Sequence, residues 1–153
     1  MFDEVLGLPA HPLIIHAAVV LTPLAVIVSV AYALLPRWRP RLDWAVVLLS
    51  VATPVSVFAA RESGEQFKER LLSGQPPGGP MGARIAEHES FATPLLLATL
   101  ALAVAALALV FGARRLGKVP AAVLSGLTVV LALVAGFYVL RAGHTGATAV
   151  WGG

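Results

Sequence analysis

Cysteine is absent from the 153 residues, which excludes disulfides, iron–sulfur clusters and thiolate metal sites. Charge is scarce: Asp, Glu, Lys and Arg make up 12% of the chain, while 58% is hydrophobic. A soluble domain is about a quarter charged and about half apolar, so a soluble fold of this size would leave much apolar surface uncovered. Catalytic signatures are missing too. No nucleophile stands at a recognised spacing from a base, and no glycine-rich phosphate loop occurs. The apolar runs hold almost no Asp, Glu, Lys or Arg, which argues against an ion pump or proton-coupled transporter. Catalysis by the chain itself is therefore not expected.

Long apolar runs are present instead, at Leu13–Leu35, Trp44–Ala60, Phe91–Gly112 and Val119–Leu140. A helix crosses about 30 Å of hydrocarbon with about 20 such residues. The expected fold is all-α, an integral membrane four-helix bundle forming a single transmembrane domain over residues 1–153, with helices at about 13–35, 44–60, 91–112 and 119–140. The first run imitates a signal peptide, with Ala31-Tyr32-Ala33 resembling a cleavage site. Asp3 and Glu4 stand where a basic leader belongs, so the run is expected to be a retained helix.

Lys and Arg in short loops set orientation. Arg37, Arg39 and Arg41 lie between the first two runs, and Arg114, Arg115 and Lys118 between the last two. Asp3, Glu4, Glu62, Glu65, Glu69, Glu87 and Glu89, seven of the eight acids, lie on the opposite side. The tight turns are expected in the cytoplasm and both termini outside, in the inner membrane of a bacterium. The net charge of +3 is then topological, and nucleic acid is not an expected partner. The lipid bilayer is. Association with respiratory or other redox membrane proteins and homo-oligomerisation are further expectations.

All four histidines, His11, His16, His88 and His144, fall near the outer boundary. The halves also echo each other. His16, Thr22-Pro23, a basic turn, Phe58 and Arg61 run parallel to His88, Thr93-Pro94, a basic turn, Tyr138 and Arg141, so each half reads as a helical hairpin, the two related by an axis along the membrane normal. Thr53-Pro54 has no counterpart. Each of these prolines removes a backbone hydrogen bond and tends to kink its helix. Ala101/Ala105 and Ala132/Gly136 offer small residues for close helix approach. In the outer segment 61–89, Arg61–Leu72 reads as a short interfacial helix, and "SGQPPGGPMG" as a loop.

Ionisable groups within a span usually face the bundle interior, and imidazole is a common metal ligand. Pro12 suits a first helical turn. His11 and His16 are about 140° apart on an ideal helix, so His16 is the inward candidate. Three uses compete with plain helix capping. Two histidines from different helices would ligate haem b, with Arg61 and Arg141 pairing to its propionates. Three or four of His11, His16, His88 and His144 would converge on copper or zinc. Or the rings would bind or relay without metal. Glu87 and Glu89 beside His88, and Glu65, are the candidates to orient an imidazole.

The segments "LPAHPLIIHAAVVLTPL", "ESGE" at Glu62–Glu65, "HE" at His88–Glu89 and "GHTGATAVW" at Gly143–Trp151 resemble the bacterial four-helix membrane family called domain of unknown function 2231. Matching positions are His11, Pro12, His16, Gly64, Glu65, His88, Gly143, His144, Gly146 and Ala147. Thr145, where serine is common, looks immaterial. The resemblance carries no activity. It implies a redox setting, because similar modules occur joined to Rieske-type or cytochrome c-type domains. The resulting expectation is an accessory protein of a membrane redox system, with a cluster of histidines on the outer side binding haem b, copper or zinc. The alternative is a structural or interaction subunit with no cofactor.

Overall fold

A backbone immersed in hydrocarbon must satisfy its own N–H and C=O groups, so apolar runs of this length can only be helical or closed into a barrel. The computed structural model describes residues 4–5, 8–72, 79–112, 115 and 117–151, with side chains at 4–5, 8–13, 67, 70–72, 80–81 and 148–151 outside that description. It contains α1 (Ala10–Leu34), a 3₁₀ turn (Pro36–Trp38), α2 (Arg39–Leu72), α3 (Gly79–Gly112) and α4 (Lys118–Trp151). Ahead of α1, two short strands, β1 (Glu4–Val5) and β2 (Leu8–Pro9), pair antiparallel. Each of the four helices carries a stretch long and apolar enough to cross a membrane: Ile14–Leu34, Pro36–Gln66, Gly82–Gly112 and Lys118–Ala147.

Three helices are longer than the apolar runs. At 34 residues and about 1.5 Å per residue, α2, α3 and α4 each extend about 50 Å, well beyond the about 30 Å of hydrocarbon. Arg61–Leu72 is therefore not a separate interfacial helix but the continuation of α2. No proline interrupts it, the helix runs through Gly64, and Arg61 and Glu65, one turn apart, form an ion pair at 2.9 Å. Part of the expected loop is helix as well, because α3 begins at Gly79, whose φ of 75° is one that a glycine adopts without strain. Residues 73–78 of that loop lie outside the described residues. In the same way α4 passes through Gly143 and Gly146, where the polar composition suggested an end.

Helix α1 packs against α2 and α4, and α3 against α2 and α4, while contact across the α1–α3 diagonal is slight. Burial is inverted relative to a soluble protein. Val104, Ile27, Val51, Leu133 and Leu140 face outward. The interior holds Ala98, Ala105, Ala106, Ala132 and Ala135, together with Thr22, Thr53, Thr99 and Thr128. Lipid tails are as apolar as leucine, so helices associate through close van der Waals packing rather than hydrophobic burial, and small residues allow it. Of the expected small-residue pairs, Ala105 and Ala132 are buried, whereas Ala101 is exposed. Gly136 faces the Val26 side chain at ordinary contact distance.

The supposed equivalence of the two Thr-Pro pairs fails in detail, since Thr22 is buried and Thr93 exposed. Thr22 faces the bundle together with Thr53, whose hydroxyl donates across to the Leu21 carbonyl of α1 at 3.3 Å.

Candidate functional site

The two ends of the bundle are chemically distinct. At the turn end, α1 closes with no basic residue in its last turn, and a helix leaves its last four carbonyls without internal partners. Arg39, the first residue of α2, supplies partners to two of them. Its Nε donates to the Tyr32 carbonyl at 3.0 Å, and Nη2 donates to the Ala33 carbonyl at 3.2 Å and to Ser125 Oγ of α4 at 3.1 Å. The guanidinium also lies 5.5 Å from the centre of the Tyr32 ring, and the Tyr32 hydroxyl donates to Asp43 at 2.6 Å. Sequence reading gave Arg39 only a topological role and overlooked Asp43, the one acid on this side. The arrangement is a clamp tying α1, α2 and α4.

The opposite end gathers the start of α1, the end of α2, the start of α3 and the end of α4, and carries the expected site residues. His88 of α3 is the half-buried imidazole there, with its ring against α4. The Thr145 hydroxyl donates one turn back to the Arg141 carbonyl at 2.9 Å, with the Ala142 carbonyl at 3.2 Å. Its single proton is thereby used, so it meets His88 Nδ1, 3.2 Å away, as an acceptor. That contact suits the Nδ1–H tautomer, in which the lone pair lies on Nε2. Gly146 makes room for the ring: a Cβ there would lie 3.2 Å from His88 Cε1 and 3.4 Å from Nδ1. The Gly-His-Thr-Gly motif thus serves His88 through Thr145 and Gly146. Thr145, noted in the sequence only as a threonine where serine is common, is the ring's partner. A hydroxyl residue followed by glycine on a helix is the signal that would have revealed it.

The other candidates are placed differently from expectation. His16, taken as the inward ring, is exposed, as is His144. The side chain of His11 lies outside the described residues. Among the described residues no group of three or more His, Cys, Asp or Glu is arranged to hold a metal ion, so these imidazoles do not form the expected cluster. Nor do the expected carboxylates orient His88. Successive helical residues are turned about 100° from one another, so both flanking glutamates point away from its ring. Glu89 instead pairs with Lys68 of α2 at 2.6 Å, and Glu87 approaches Arg141 at 4.0 Å. Glu65 and Glu62 both pair with Arg61, at 2.9 and 3.1 Å. The Arg141 guanidinium lies 5.1 Å from the centre of the Phe91 ring, which in turn meets Tyr138.

The family described as "Predicted membrane protein (DUF2231)" matches residues 7–153. No curated protein and no solved structure matches the chain.

Proposed function

The chain belongs to the DUF2231 family of predicted membrane proteins, and from that premise we propose a non-catalytic accessory of a membrane redox system in which His88 donates to a haem b iron. The observation that carries this reading is the orientation of one imidazole. In the tautomer that the Thr145 contact favours, Nδ1–H is held and Nε2 keeps its lone pair, the arrangement that supporting hydrogen bonds give metal-ligating histidines. One guanidinium of this end also retains donors. A guanidinium has five N–H donors, and Arg141 meets Glu87 only at 4.0 Å, leaving donors for a propionate, whereas Arg61 is engaged by two glutamates. Haem b needs one further imidazole, from His11, His16 or His144. Copper or zinc, needing three or four ligands, ranks behind it. When bound, the haem would supply one-electron chemistry, and the protein's part is to hold and orient it.

In this reading the bundle consists of two helical hairpins in a bacterial inner membrane, with both termini and His88 on the outer side. The Arg and Lys of the two turns, set against the acids of the opposite end, support that orientation. The test is protein isolated from its native membrane, measured by reduced-minus-oxidised absorbance together with metal analysis. A Soret band lost in His88→Ala is the expected result. Absence of both haem and stoichiometric copper or zinc would refute the cofactor. That outcome would favour a second reading, an interaction subunit without cofactor. The ion pairs Lys68–Glu89 and Arg61–Glu65 speak for this alternative, since they spend the charges of this end within the chain itself.

A further inference from the structure

Away from His88, midway along the helices, Thr22 and Ser29 of α1, Ser50 and Thr53 of α2 and Thr99 of α3 line a cavity of about 10 Å³ completed by apolar side chains. Their polarity has a definite sense. Thr22 donates to the Ala18 carbonyl at 2.8 Å, Thr53 to the Leu21 carbonyl at 3.3 Å and Thr99 to the Leu96 carbonyl at 2.9 Å. A hydroxyl has one proton and two lone pairs, so these three oxygens can meet an occupant of the cavity only as acceptors. Pro54 adds another acceptor, because it supplies no N–H to the Ser50 carbonyl one turn back. In hydrocarbon such a carbonyl must find its partner inside the protein. The three threonines and this carbonyl therefore offer lone pairs, Ser29 and Ser50 each add a hydroxyl that can donate or accept, and the space matches the about 10–15 Å³ that a single water requires.

We propose that this cavity binds one ordered water molecule, which donates both protons to these acceptors and joins α1, α2 and α3 beside Pro54. A water suits the site better than a small cation. No carboxylate lines the cavity, and an unpaired charge at this depth is costly. The site is independent of the reading given to His88.

The test is a high-resolution diffraction structure of the full chain grown from a lipid mesophase, with sodium or choline as the only added cation. The expected result is a density peak about 2.7–3.2 Å from at least three of the lining oxygens, the same in both salts. The peak should be lost in Thr99→Val and kept in Thr99→Ser. An empty cavity in the wild-type protein would overturn the proposal. So would a peak present only with sodium and at the shorter distances of a metal–oxygen contact. The wild-type comparison between salts decides the matter even if the valine variant does not fold.

Discussion

Replacing Arg39 by alanine removes the clamp at the turn end. Three hydrogen bonds, to the Tyr32 and Ala33 carbonyls and to Ser125 Oγ, disappear with the side chain, and so does its packing on the Tyr32 ring. Hydrogen bonds from a charged donor contribute about 1.5–3 kcal/mol each. The site is half-buried and water can reach some of the abandoned carbonyls, so the low end applies and the terms do not add fully. A total loss of about 2–4 kcal/mol is expected. The assay is equilibrium unfolding in mixed micelles of increasing denaturing detergent, followed by circular dichroism. Arg39→Lys keeps the charge but not the planar fork that spans three acceptors, and it should fall between wild type and alanine. Ser125→Ala should cost about 0.5–1.5 kcal/mol alone. Combined with Arg39→Ala it should cost measurably less than the sum, since the two side chains share a bond. An Arg39→Ala protein within about 0.5 kcal/mol of wild type, the range of an ordinary surface change, would refute the clamp. So would strict additivity with Ser125→Ala.

Other substitutions probe the packing. Gly146→Ala places a methyl group against the His88 ring and should lower stability by about 1–3 kcal/mol, read as a lower thermal midpoint in detergent. Gly143→Ala, with open space around its Cβ, should instead raise stability by up to about 1 kcal/mol through helix propensity. Leu109, fully buried between helices, should cost about 2–5 kcal/mol when cut to alanine, measured by the same detergent unfolding. Breaking the half-exposed Lys68–Glu89 pair should cost less than about 1 kcal/mol and vanish at high salt. A double-mutant cycle at two ionic strengths checks that.

The number of helices was legible because hydrocarbon demands apolar length and little else in this chain supplies it. Their ends were not. Hydropathy falls at Arg61, Ser90 and Arg141, where the apolar runs end, yet the helices continue, with Lys68–Glu89 and His88–Thr145 holding the polar segments against one another. His88 was recognisable from its place at a span boundary. Its partner was not, because Glu87 and Glu89 are adjacent in sequence while Thr145 lies 57 residues away. His16 was misplaced for a related reason. Helical phase relates His11 to His16 but says nothing about which direction the neighbouring helices occupy. Arg39 illustrates the same limit: a turn arginine satisfies the topology rule wherever it points, and only packing shows that it points at the end of α1.

The orientation of His88 is tested most directly by ¹⁵N NMR of its ring in the full-length protein, in detergent and without added metal or haem. A proton on Nδ1 and a bare Nε2, switching toward a mixture of tautomers in Thr145→Val and retained in Thr145→Ser, is the expected result. A wild-type ring protonated on Nε2 alone, or one whose tautomer ignores Thr145, would contradict an imidazole held ready as a ligand.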